Sequence, residues 1–187
     1  MTGRVRTFRL RLEPISLTNV DDLWRLHQDP GVALWNGGAW SRDEAERTAR
    51  RYGSSWSADG VGKWLAYDRV TGDLVGRGGV SRAVVDGQDC VEVGWAVRQA
   101  LWGRGYATEI GTTGIRLADE IVEPEEIVAF TEVHNRRSRA VMERLGMTFV
   151  RQIMASGLVE GRPGVHDDAP FALYVLRRGS AAAANGR

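Results

Sequence analysis

The chain has 187 residues, 43% of them hydrophobic and 26% charged, the make-up of one folded domain with a sizeable core rather than of a disordered segment. Its 25 basic and 24 acidic side chains nearly cancel, so no global field draws it to nucleic acid or to an anionic membrane. No apolar run approaches the roughly 20 residues that span a bilayer, and the start MTGRVRTFRL lacks the apolar stretch of a secretory signal.

Taken in chain order, the first predicted strand is Phe8 to Leu12, apolar at every second residue and closed by Pro14. Thr18, with Asp21 three residues on, predicts a capped helix whose Val20, Leu23, Trp24 and His27 share one face. Ser41 and Glu44 predict a second helix running towards Tyr52, and Pro30 to Trp40 between the two reads as a loop. Trp64 to Tyr67 and Leu74 to Val80 read as a hairpin turned at Gly72. Cys90 to Val97 is a fourth strand, Arg98 to Arg104 a turn, and Gly105 to Glu120 a helix with Tyr106, Ile110, Leu117 and Ala118 near one face. Ile127 to Val133 is a fifth strand. Arg136 to Leu145 is a helix stopped at Gly146, and Thr148 to Met154 and Phe171 to Leu176 are the last strands. The order predicts an α+β domain over residues 1–178 with a mixed sheet and helices on both faces. The Ala-rich tail 179–187 is expected to fray.

The single cysteine, Cys90, excludes an internal disulfide and fits a reducing cytoplasm. Its setting in CVEVGWAV predicts packing rather than reactivity. His27, His134 and His166 show no metal-ligand spacing, so no metal is expected.

The segment Trp102-Gly103-Arg104-Gly105-Tyr106-Ala107-Thr108 lies between a predicted strand and a predicted helix. Glycines there let backbone approach a ligand, and the free N–H groups of the helix's first turn, at the positive end of its dipole, suit phosphate oxygens. A plain tight turn is the bland alternative. A P-loop would need Gly-Lys-Ser/Thr, and a dinucleotide fingerprint a third glycine or alanine where Thr108 stands; both are absent.

This segment resembles the pyrophosphate loop of the GNAT superfamily of N-acetyltransferases, Arg/Gln-x-x-Gly-x-Gly/Ala, with Gly105 and Ala107 at its last two positions. Trp102 departs from the Arg/Gln but, with Glu109, is similar to the RimJ/RimL-like ribosomal-protein branch, Trp-Gly-x-Gly-Tyr-Ala-Thr-Glu. Asn135-Arg136-Arg137-Ser138 and Val141 to Met147 resemble a second motif of that branch, with Arg144 for its usual Lys. The similarity covers about residues 6 to 178. It implies a mostly antiparallel sheet splayed between its fourth and fifth strands, with acetyl-CoA in the gap as co-substrate. The cofactor would pair with backbone at Trp95, Ala96 and Val97, and its pyrophosphate would meet the amides of Gly103, Arg104, Gly105, Tyr106, Ala107 and Thr108.

The implied reaction is direct acetyl transfer to a primary amine, on a protein N-terminus or a small molecule. Ser138 is the implied proton donor for the thiolate, its bland alternative being a helix-start serine. Asn135 would bond the cofactor or the splayed strand. Glu92, amid apolar neighbours whose partial burial would raise its pKa, is the candidate general base. Glu132 competes with it, an ion pair with an arginine is the bland account, and ordered water is a further route. Trp35, Trp40 and His134 are candidates to touch the acceptor, with core packing as the alternative for the tryptophans. Beyond the amine acceptor the expected partners include neither nucleic acid nor membrane, and a homodimer is compatible. The rival functions are a non-catalytic acyl-CoA sensor and a transferase for another acyl group such as succinyl.

Overall fold

The computed structural model describes residues 3–178; the expected fraying of 179–187 lies outside them. Its elements are β1 (Val5–Arg6), β2 (Leu10–Pro14), α1 (Val20–Leu26), α2 (Pro30–Leu34), α3 (Arg42–Asp59), β3 (Lys63–Asp68), β4 (Leu74–Val85), β5 (Gln88–Val97), α4 (Tyr106–Ile121), β6 (Glu126–Glu132), α5 (Arg136–Arg144), β7 (Thr148–Val159) and β8 (Arg162–Arg177). The strands form one eight-stranded sheet in the order β1-β2-β3-β4-β5-β6-β8-β7. Neighbours are antiparallel except β5 and β6, the parallel pair that α4 connects.

Period-two alternation divides each strand between two cores. Trp64 and Ala66 of β3, Val97 of β5 and Ile110 of α4 pack on one side, continued by Val93, Ile127, Ala129 and Met142 of α5. Leu65 and Tyr67 face the other way, against Leu23, Leu26, Val32 and Ala49 of α1 to α3. The mixed sheet with helices on both faces is therefore as the sequence predicts. Among the described residues no helix is long and apolar enough to cross a membrane.

Local chemistry explains where elements begin. Ser41 Oγ accepts from Glu44 N–H at 3.2 Å while Glu44 Oε2 accepts from Ser41 N–H at 2.7 Å, the predicted capping box; α3 then runs past Tyr52 to Asp59. The first cap is different from the expectation. Ser16, not Thr18, pairs with Asn19 in a capping box around a 3₁₀ turn, Leu17–Asn19, that leads into α1. Within the expected loop Pro30 to Trp40, Asp29 caps the short α2 by accepting from Gly31 and Val32 N–H, with Pro30 at the first helical position where its missing N–H costs nothing.

Five strands, β3, β4, β5, β7 and β8, are longer than expected, the last two and β4 by the most. Asp86 and Gly87, at φ +50° and +76°, make a two-residue turn that joins β4 to β5 with Val85 opposite Gln88. β7 and β8 continue as a hairpin through Val159↔Arg162, with three register shifts along its length. Cys90 is half-buried, and its Sγ lies 3.4 Å from Ala83 O. Burial first, then Glu92 and Asp89, pushes the thiol up.

Candidate active site

β5 and β6 hold parallel register at Val91↔Ile127 and Glu92↔Val128 and no further, so beyond Glu92 the sheet opens into a V. Arg98 N–H donates to Val75 O at 3.0 Å, and a Cβ on Gly76 would meet Ala96 O at 2.3 Å. By antiparallel alternation, Gly94 and Ala96 spend their backbone groups on β4, while Trp95 and Val97 turn theirs to the gap. Val97 O accepts from the Trp102 indole, Nε1 at 2.7 Å. The Trp95 N–H and C=O are left for an extended ligand.

The loop after β5 carries Gly103 and Gly105 at φ +77° and +80°, a region that costs an L-residue roughly 1–2 kcal/mol. α4 starts at Gly105 with no side-chain cap, and its first turn closes with Glu109 N–H on Gly105 O. The N–H groups of Tyr106, Ala107 and Thr108 therefore have no helical partner and sit at the positive end of the dipole. A Cβ on Gly103 would meet nothing within 4 Å, and one on Gly105 only Arg9 Nη2 at 3.5 Å. These features fit a diphosphate-bearing ligand that enters the V as an extended chain.

Two further side chains fix this loop. Arg104 O accepts from Arg9 Nη1 at 2.7 Å, and the Arg9 guanidinium lies 4.3 Å from the Tyr106 ring centroid. Glu109 on α4 in turn holds Arg9, Oε2 to Nε at 2.7 Å and Oε1 to the backbone N–H at 2.9 Å. Trp102, the departure from the loop's usual Arg/Gln, braces the opposite wall. Its ring fills the space beside Gly31 of α2, where a Cβ would lie 2.5 Å from Cζ2, and the Arg137 guanidinium covers it at 4.9 Å.

The V and the loop open into one cleft of about 990 Å³. It brings together Glu92, Trp95, Ala96, Val97, Trp102, Gly103, Gly105, Tyr106, Ala107, Thr108, Asn135, Ser138 and Trp35. Arg104, Trp40 and His134 do not line it. Trp40 stacks on His27 at 3.3 Å between centroids in the core under α1 and α3. His134 meets the Trp35 ring at 5.3 Å, so Trp35 spans from the end of α2 to the β6–α5 turn.

Asn135 caps α5, its Oδ1 accepting from Ser138 N–H at 3.2 Å, and donates from Nδ2 to Thr131 Oγ1 on the splayed β6 at 3.0 Å. Ser138 Oγ makes no hydrogen bond among the described residues, because Asn135 already performs the cap. Glu92 is ion-paired, though with a lysine: Lys63 Nζ lies 2.9 Å from Oε2 and is itself 3% exposed, and Ser81 Oγ donates to the same oxygen at 3.2 Å. Glu132, 5% exposed, takes only neutral donors among the described residues, Thr131 Oγ1 at 3.3 Å and Leu158 N–H at 3.4 Å.

Lys63 and Arg77 also line the cleft and were not legible as site residues. A signal exists, since each is a cation set within an apolar strand, where unpaired charge is costly.

A family profile described as an acetyltransferase (GNAT) domain matches residues 9–148. The FsC-acetyl coenzyme A-N(2)-transacetylase of Aspergillus fumigatus is 28% identical over 155 residues, 78% of this chain and 65% of that enzyme. Among solved structures, an acetyltransferase from Agrobacterium tumefaciens superposes with a TM-score of 0.71 at 22% identity, with 94% of each chain covered. RimL, a ribosomal L7/L12 alpha-N-protein acetyltransferase solved with coenzyme A, superposes at 0.74 with 15% identity, covering 93% of this chain and 97% of that one. At these identities the two structural likenesses are likenesses of fold.

Proposed function

The chain belongs to the GNAT acetyltransferase family, and on that premise we propose that it binds acetyl-CoA and a primary amine together and moves the acetyl group directly between them. One observation carries the reading. A single cleft joins the open edge of β5, the uncapped N-terminus of α4 behind two left-handed glycines, and a wall of ionisable side chains. The Trp95 backbone would hold the pantetheine, and the amides of Tyr106, Ala107 and Thr108 the pyrophosphate. When bound, acetyl-CoA supplies an activated thioester.

The chain's own residues then have two proton tasks. An ammonium and a thioester give an amide, a thiol and one released proton. Glu92 would take the proton that frees the amine, with Lys63 and Ser81 fixing its carboxylate. Ser138 Oγ–H would protonate the departing sulfur and be refilled by the proton the nitrogen loses. Glu132 is a second reading for the base, favoured by its burial without a cationic partner among the described residues. Trp102 and Glu109 support placement in the RimJ/RimL-like branch, and the single cysteine supports a cytoplasmic setting.

The test is incubation of the purified protein with acetyl-CoA, and in parallel succinyl-CoA, against a library of small amines and peptides. Expected are products 42 Da heavier (one acetyl for one hydrogen, roughly, per amine) and matching thiol release. Stabilisation by acetyl-CoA with no thiol release from any amine would replace the transferase by a sensor. Turnover with succinyl-CoA alone would replace the donor.

A further inference from the structure

The charges on the cleft wall do not all cancel. Lys63 and Glu92 neutralise each other. Arg77 and Glu132 do not. Arg77 is 9% exposed and lines the cleft. Its Nε donates to His27 Nε2 at 2.9 Å and its Nη2 to Asn36 Oδ1 at 2.9 Å. Nη1 has no partner, and Arg77 makes no ion pair, among the described residues. His27 cannot supply the missing charge: it is fully buried, and burial, then Arg77, pushes its pKa down to about 2, so it stays neutral. A guanidinium with two neutral acceptors is oriented, not compensated.

Register sets Arg77 against Glu132. Arg77 pairs with Ala96 across β4–β5. Continuing the β5–β6 register from Glu92↔Val128 puts Ala96 level with Glu132 across the V. Both side chains are on the sheet face that α1 to α3 cover, since Arg77 lies opposite Leu65 and Glu132 shares the parity of Val128 and Phe130. Two strand spacings separate their Cα atoms by at least about 10 Å, more where the strands splay. The cleft thus presents a cation and an anion on one face of the sheet, two strands apart. Tyr52, which also lines it, reports the positive end: burial pushes its pKa up, yet Arg77 and Lys63 outweigh that and lower it.

We infer that the acceptor amine carries a carboxylate, which Arg77 binds through Nη1 while the ammonium is drawn to Glu132, the base of the second reading above. The inference rests on the acetyltransferase reading and narrows its substrate class. The carboxylate belongs either to a free amino acid or to an acidic side chain near a peptide N-terminus, and the spacing favours several bonds between amine and anion.

The experiment uses the full chain with acetyl-CoA and two acceptor series. One runs from glycine through β-alanine and 4-aminobutyrate to 6-aminohexanoate, each against its carboxamide. The other is pentapeptides with Asp or Glu against Asn or Gln at the first two positions. Expected is at least a tenfold higher kcat/KM for one carboxylate than for its amide, about 1.4 kcal/mol. The series that shows it identifies the source. Arg77→Gln should erase that ratio while acetyl-CoA affinity stays within about twofold. Transfer to amines with no carboxylate preference overturns the inference and leaves the transferase standing; absence of transfer to every amine overturns both. A tenfold loss of acetyl-CoA affinity in Arg77→Gln, or equal loss on carboxylate and amide acceptors, also overturns it. The wild-type ratio decides the matter even where the variant fails to fold.

Discussion

Glu109→Ala removes one acceptor shared by three donors and tests how the phosphate loop is held. In the folded chain the Glu109 side chain is 15% exposed. It accepts from the Thr7 hydroxyl, the Arg9 backbone N–H and Arg9 Nε. A hydrogen bond to a charged group contributes about 1.5–3 kcal/mol, and all three here end on the carboxylate, so the gross sum is about 4.5–9 kcal/mol. The donors lie near the surface and regain water, so a net loss of about 2–4 kcal/mol is expected in urea unfolding. Freed of Glu109, Arg9 no longer fixes the Arg104 carbonyl, and acetyl-CoA affinity should fall severalfold by calorimetry. Glu109→Gln keeps the shape and the acceptor towards the Arg9 N–H but sets an amide NH₂ near Arg9 Nε; it should recover about half of the loss. A pH series adds a second reading. Burial pushes the Glu109 carboxyl up, but the bonds from Thr7 and Arg9 outweigh it and hold it below the usual carboxylate range. A carboxyl lowered on folding stabilises fully above its unfolded pKa of about 4.3 and loses that contribution as pH falls through the folded value. The gap between wild type and Glu109→Ala should therefore be constant near neutrality and shrink below about pH 5. A gap under about 0.5 kcal/mol at pH 7, the range of ordinary surface changes, or one unchanged down to acid pH, would refute this account.

Four other substitutions separate cofactor binding, turnover, acceptor binding and packing. Gly105→Asp places a side chain at φ +80° with its Cβ 3.5 Å from Arg9 Nη2 and a negative charge beside the proposed pyrophosphate site; acetyl-CoA affinity should fall at least tenfold, about 1.4 kcal/mol, and unchanged affinity in a folded variant would remove the loop from the cofactor site. Ser138→Ala should lower kcat by about ten- to a thousandfold with cofactor affinity and stability nearly unchanged, because Asn135 supplies the cap; a loss of about 1 kcal/mol in stability with kcat intact would make Ser138 a capping residue. Trp35→Ala should raise the amine KM severalfold at constant melting temperature. Trp40→Ala, which unstacks His27, should instead cost about 2–4 kcal/mol, somewhat under the range for a fully buried aromatic; equal behaviour of the two variants would contradict the division.

What the sequence made legible was local. Ser41 and Glu44 lie three residues apart, and the cap they form depends on little else. Gly103 and Gly105 take the left-handed backbone their type permits. The Asp86-Gly87 turn was equally readable, a strong short-range hairpin signal, and reading the strand as ending at Val80 overlooked it. The outer half of the β7–β8 hairpin was harder. Residues 160–168, Glu-Gly-Arg-Pro-Gly-Val-His-Asp-Asp, are polar and nearly all exposed, so no alternating apolar face announces strand. Pairing with a non-local partner holds them extended instead. The cleft's charges were hidden for a related reason. Whether Lys63 meets Glu92, or Arg77 meets only His27 and Asn36, depends on cross-strand register and on a helix packed fifty residues away.

That same register shows why the charges sit where they do. Lys63, Arg77, Ser81, Glu92 and Glu132 all alternate with residues that face α4 and α5, as Trp64, Gly78, Val80, Val93 and Thr131 do, so one face of the sheet stays apolar while the other gathers ionisable groups. Burying a charge costs several kcal/mol unless it is paired. Among these groups it is met by an ion pair at Lys63–Glu92. At Arg77 the pairing stops short, with neutral partners and one nitrogen unmatched. A fold that needed Arg77 only for stability would gain by giving it a carboxylate or replacing it with an apolar residue of similar volume. An uncompensated guanidinium and an uncompensated carboxylate lining one cleft are instead what a site for a doubly charged acceptor requires, whereas an amine without a carboxylate would pair with Glu132 as its ammonium and leave Arg77 uncompensated.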